Sequence, residues 1–167
     1  MGIVNVTPDS FSDGGVHFDA DVAVRSAIAM VEAGADMLDV GGESTRPGGN
    51  PLPTDEELRR VMPVIEAIAR RVNVPISIDT YKAGVAERAI DAGAMIVNDI
   101  SALDYDPALA EVAARRRVPV ILMHNRGRSS KMYEFAEYGD VVTDISRELI
   151  ARAEAAIAAV IPKTAIV

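Results

Sequence analysis

The chain has 167 residues and a net charge of −8, with 49% hydrophobic and 25% charged residues. That length and balance fit one globular domain and exclude a disordered chain or a broadly basic nucleic-acid surface. The absence of cysteine excludes disulfides, thiolate metal sites and a cysteine nucleophile.

The first fifteen residues carry no Lys or Arg and run quickly into Asp, Ser and Gly, unlike a signal peptide. No apolar run approaches the roughly 18–20 residues of a membrane span. A cytoplasmic protein is the expectation. Short apolar, β-branched runs at 2–6, 37–40, 75–78, 95–97, 119–123 and 164–167 read as strands. Helical spacing fills the intervals between them. Leu58, Val61, Met62, Ile65, Ile68, Ala69 and Val72 mark one helix face. Thr54 and Glu57 have capping-box spacing at its start, and Pro63 predicts a kink within it. Asp106-Pro107 reads as an N-cap followed by a first-turn proline. An Ala-rich helix is expected over about 140–160, too polar to span a membrane.

Residues 32–39 (EAGADMLD) echo 91–98 (DAGAMIVN). Each reads as a helix end, a glycine suited to a left-handed cap, and a buried strand ending in a polar residue. Strict strand–helix alternation implies parallel strands with right-handed crossovers. An open doubly wound sheet and a (β/α)8 barrel both satisfy it. Long loops follow the strands at 7–18, 42–53 and 125–139, all at strand carboxyl ends. Asn5, Asp39, Asp79, Asn98 and His124 fall at those ends too. Polar ends on five consecutive strands suit a barrel mouth better than one switch point. At about 30 residues per unit, 167 residues make roughly five and a half units of a barrel. Strands one to six and helices one to five of one domain are expected, with strands seven and eight outside this sequence.

Asp79 ends an apolar strand. A buried carboxylate needs a partner, and two acceptor oxygens suit a heterocycle with an N–C–N donor edge or an arginine. Asn98 offers donor and acceptor to a ring edge, or caps a turn. His124 stands without multi-His spacing, so it reads as a rim histidine rather than a zinc ligand. The loop GGESTRPGG at 41–49 supplies Thr45 and the cationic fork of Arg46 between glycines. It matches neither a P-loop nor a Rossmann fingerprint. The first loop mixes Asn5, Asp9 and Asp13 with Phe11. Such oxygen donors beside an anionic substrate suit Mg²⁺, or are ordinary turn chemistry. These residues describe a barrel enzyme for a polar heterocycle and an anion.

NVTPDSFSDGG at 5–15, DVGGESTRPG at 39–48, SIDT at 77–80 and NDIS at 98–101 together resemble the motifs of the dihydropteroate synthases. The first two are long and specific, and all four come in order. The resemblance implies a transferase of folate biosynthesis and a sulfonamide target. Such an enzyme condenses 6-hydroxymethyl-7,8-dihydropterin pyrophosphate with p-aminobenzoate. It implies Asp79 and Asn98 on the pterin, with Ile100 and Met123 lining its pocket. It implies Asn5, with Mg²⁺, on the pyrophosphate. Phe11, Thr45 and Arg46 would contact the pyrophosphate or p-aminobenzoate, and Asp13, Arg46 and Asp79 would be catalytic. Loops one and two would order with substrate. A homodimer without nucleic-acid or membrane partners is implied as well.

The family's later Asp-Pro-Gly, Lys-bearing and Arg-x-His segments are not in this sequence, so these 167 residues alone are expected to be inactive. A corrinoid methyltransferase barrel and a non-catalytic pterin binder are the alternatives. Assay with p-aminobenzoate, against methyltetrahydrofolate with a corrinoid, separates the three.

Overall fold

The computed structural model describes residues 1–7, 16–44, 51–128 and 132–167, with 16–19, 132 and 133 as backbone only. Five strands, β1 (Gly2–Asn5), β2 (Leu38–Gly41), β3 (Ile76–Asp79), β4 (Ile96–Asp99) and β5 (Val120–Leu122), form one parallel sheet in chain order. Between and after them run α1 (Val16–Glu32), α2 (Thr54–Ile68), α3 (Ala83–Asp91), α4 (Ala108–Arg116) and α5 (Val141–Ala158). A doubly wound sheet would reverse its strand order at a switch point; this one never does. Right-handed crossovers then place the connecting helices on the same side. The fold is α/β of the (β/α)8 barrel class, here an open arc of it.

Strand parity divides the molecule. Val4, Val40, Ile78, Val97 and Val120 are neighbours across the sheet and are buried under the helices. The opposite face, which would be a barrel's interior, carries Ile3, Asp39, Ser77 and Ile96 in one row. Asn5, Gly41, Asp79, Asn98 and Ile121 form the next row toward the carboxyl ends. The candidate polar strand ends therefore lie side by side.

The repeat is real in backbone terms. Gly34 and Gly93 adopt φ of +100° and +119°, which only glycine takes without strain. Asp106 closes two helices at once. Its Oδ1 accepts from the Ala108 N–H (3.2 Å) at the start of α4, and its Oδ2 from the Ala83 N–H (2.8 Å) at the start of α3. Pro107 already has helical angles, as the Asp-Pro pair predicts. Asp140 caps α5 by accepting from the Thr143 N–H at 2.7 Å.

Several details differ from the sequence reading. The capping box does not form: Pro53 precedes α2, Thr54 is inside it, and no side chain caps it. Glu57 is drawn instead into a buried ion pair with Lys82. Pro63 lies inside helix α2, which continues through it as one element. The last apolar run pairs parallel to β5 as expected, from Ile166 rather than Thr164: Ile166 bridges Val120, the Val167 N–H donates to the Val120 carbonyl and the Val167 carbonyl accepts from the Leu122 N–H, both at 2.9 Å, after a 3-10 turn at Lys163–Ala165. Helix α1 begins at Val16, which shortens the first loop.

A methyl group at Gly93 would meet the Ala69 Cβ at 2.8 Å, whereas at Gly34 nothing lies within 4 Å. Gly34→Ala should therefore cost on the order of 1 kcal/mol from backbone strain alone, and Gly93→Ala about 1–2 kcal/mol more. Denaturant unfolding of both variants checks the difference.

Candidate functional site

The row Asn5–Gly41–Asp79–Asn98 is built by register. Asn5 pairs with Gly41, Gly41 with Asp79, and Asp79 with Asn98. Gly41 leaves the gap that Asp79 occupies: a Cβ there would lie 3.1 Å from Asp79 Oδ2. The Asp79 carboxylate makes no hydrogen bond or ion pair with any described residue, so the structural ion pair that sequence leaves open is not formed among them. Burial pushes its pKa from the ordinary 3.8 up to about 7, helped by the charges of Asp39, Glu57, Asp99 and Glu43. A half-buried carboxylate without a donor, among other acids, is a site made for a donor-bearing ligand.

The neighbouring carboxylates are anchored instead. Asp39, 4% exposed, accepts from Ser77 Oγ and from Asn98 Nδ2 (3.0 Å). Asn98 is thus neither a turn cap nor free to rotate. Asp99 is fully buried and accepts from the Ser101 N–H (2.7 Å), Ser101 Oγ (2.8 Å) and the Leu103 N–H (2.7 Å). Those bonds hold Ala102 and Leu103 in successive left-handed conformations, which shapes the β4–α4 rim. Ile100 is buried at its start.

A second buried cluster ties the base of the second loop to the helices. Lys82 pairs with both Glu43 and Glu57, and the Tyr81 hydroxyl donates to Glu43 Oε1 at 2.9 Å. Glu57 Oε1 is buried without a partner among the described residues.

His124 leaves the row. Odd-numbered Ile121 shares the Asn98 face, whereas His124 turns to α5, where its Nε2 lies 2.9 Å from Glu148 Oε2. Arg126 also pairs with Glu148 and, with His124, holds that carboxyl down at about 2. The rim-histidine reading fits this pair. Met123, 45% exposed, lines a cavity of about 580 Å³ between the β4–α4 rim, the segment after β5 and α5. Asp79, Asn98 and Ile100 are not among the residues lining that cavity. Phe11, Asp13, Thr45 and Arg46, and the substrate-ordered loops expected around them, lie outside the described residues.

Asp39, Asp99 and Lys82 are the participants that the sequence alone left without roles. Asp39 was visible as a polar strand end. Asp99 and Lys82 were not, because their partners come from turn geometry and distant elements. No group of three His, Cys, Asp or Glu side chains gathers for a metal among the described residues. No helix is long and apolar enough to cross a membrane.

Singly wound parallel strands with polar carboxyl ends and an unpartnered carboxylate define a ligand-binding protein of the barrel class. The family described as "Pterin binding enzyme" matches residues 1–167, and the chain belongs to it. It is 48% identical over 159 residues to the dihydropteroate synthase of Bacillus subtilis, covering 95% of this chain and 53% of that protein. It is 50% identical over 159 residues to that of Escherichia coli K12, covering 93% and 56%. A solved Xanthomonas albilineans dihydropteroate synthase with 4-aminobenzoic acid superposes with a TM-score of 0.91 at 48% identity, over 99% of this chain and 58% of that one. The chain spans about half the length of the curated relatives it matches.

The folded protein retains a proton on Asp79 that the unfolded chain releases above about pH 4. Stability contributed by this group therefore falls as pH rises from about 4 to 7. Asp79→Asn should stabilise the ligand-free protein at pH 8 by on the order of 2–4 kcal/mol, with no difference below pH 3.5. Urea unfolding of both proteins across that range checks the sign.

Proposed function

We propose that the protein is a dihydropteroate synthase, joining 6-hydroxymethyl-7,8-dihydropterin pyrophosphate to p-aminobenzoate in folate biosynthesis. The observation that carries this reading is the unpartnered Asp79 carboxylate beside the oriented amide of Asn98. Two acceptors on adjacent strands match the N–H edge of an aminopyrimidinone ring, and the relatives' names agree. One solved relative, from Yersinia pestis, is described as a sulfonamide drug complex, which supports expecting sulfonamides to act here too.

Asp79 and Asn98 hold the ring, with Ile100 and Met123 beside it. The C–O bond to pyrophosphate breaks with its electron pair on the leaving group. The aromatic amine then forms the C–N bond and gives its proton to solvent. A neutral aniline is nucleophilic enough to need no strong base, so positioning and electrostatics supply the acceleration. The buried carboxylates around Asp79 favour the transient positive charge on the pterin methylene. Phe11, Asp13, Thr45 and Arg46 belong to the loops that would meet the p-aminobenzoate and pyrophosphate.

Asn5 is exposed at the end of the row, and its amide oxygen is a hard donor. It fits Mg²⁺ held by one protein ligand, with diphosphate and water completing the shell. Such an ion, when bound, would neutralise charge on the leaving group. The same reading takes the protein as a cytoplasmic homodimer whose partners are small molecules, not nucleic acid or membrane.

Asp79→Asn should weaken pterin binding by on the order of 2–4 kcal/mol. Calorimetric titration of the whole protein measures it, and near-wild-type affinity would remove Asp79 from the site. Asn5→Ala should weaken the pyrophosphate ester far more than the pterin alone. Equal losses would indicate a disturbed first loop rather than a lost anion contact.

A further inference from the structure

Asp39 lies one row beneath the site, between β1 and β3; its hydrogen bond to the ligand-facing row is to Asn98, and its charge is also felt by Asp79. Both of its oxygens are engaged: Oδ1 by Ser77 Oγ and Oδ2 by Asn98 Nδ2 at 3.0 Å. These two donors oppose the burial that pushes its pKa up and so favour its charged form. A carboxylate accepts and cannot donate. An asparagine facing it must give its NH2 and turn its carbonyl away. Asn98 Oδ1 takes no hydrogen bond from any described residue. Asn98 is also the register partner of Asp79, so both side chains leave the sheet on the same face.

We infer that Asp39 is a positioning and specificity-determining residue: it locks the Asn98 amide so that its carbonyl faces the ligand beside Asp79, which selects a ring with an amino-bearing donor edge. The inference rests on the pterin reading above. Without Asp39, the Asn98 amide is free to turn over. It would then offer N–H groups to the ligand, facing the pterin's own donors.

Asp39→Asn keeps the shape and supplies an N–H that can bond Asn98 Oδ1, so it should reverse the amide. Ser77→Ala removes the other tether of Asp39 and leaves the amide as it is. The probes are pterin and 4-hydroxypteridine, the same ring without the amino group, titrated calorimetrically into the whole protein. Wild type and Ser77→Ala should prefer pterin by about tenfold or more. Asp39→Asn should bring the two affinities to within about threefold. Asp39→Asn combined with Asn98→Ala should bind pterin no more weakly than Asn98→Ala alone, because Asp39 acts through that amide.

Asp39→Asn that keeps the wild-type preference overturns the inference, and so does an additive double variant. Wild type that binds neither ring overturns the pterin reading itself. If Asp39→Asn folds poorly, hydrogen exchange at Asn98 Nδ2 in the ligand-free wild type decides. Slowed exchange is expected there, and the rate of an exposed asparagine would overturn the inference.

Discussion

Everything at this site depends on register between parallel strands. Successive residues of a strand point to opposite faces, so a shift of one residue would send Asp79 into the helix layer and Ile78 to the ligand face. The rows fix this choice. Val4, Val40, Ile78, Val97 and Val120 form one apolar band that only the helix side can bury. The polar row is placed by what the apolar row requires. Specificity at the site is thus partly a by-product of hydrophobic burial by the adjacent residue of each strand, and the site stands on rigid elements rather than on loops.

The carboxyl ends of the strands are costly in themselves. Asp39 and Asp79 on the ligand face and Asp99 on the helix side stand on three neighbouring strands, with Glu43 and Glu57 close enough to be felt by Asp79. The protein satisfies most of them internally: Asp39 by Ser77 and Asn98, Asp99 by its own turn, and Glu43 and Glu57 by Lys82. Only Asp79 is left without a donor among the described residues. Solvation lost on folding is then recovered when a ligand brings its own N–H groups. This is the trade between stability and binding expected of functional sites.

Much of this was legible in the sequence because it depends on local chemistry. The strand runs, the glycines at 34 and 93, Asp106-Pro107 and the polar strand ends all act within a few residues of themselves. The illegible parts depend on distant partners. Thr54 and Glu57 had the spacing of a capping box, but Lys82, 25 residues further on, claims Glu57. The last apolar run had strand composition throughout, yet the turn after Pro162 delays its pairing with β5 to Ile166. His124 looked like a member of the row until parity and Glu148 turned it away. Nothing near Asp39 in sequence reveals that its partner is 59 residues later.

The two oxygens of Asp106 lead to a point about how the chain folds. One carboxylate satisfies the first turn of α3 and the first turn of α4, so neither helix start is complete until the other is present. Repeated strand–helix units could otherwise accrete one at a time, each stable on its own contacts. Here the third and fourth units are linked by a shared, partly exposed group that lies between them in sequence. Opening either one exposes amide hydrogens in both, which makes the pair one cooperative block in hydrogen exchange. The polar row on β3 and β4 lies inside that block. Asp79 and Asn98 are therefore carried by two strands whose following helices share one anchor.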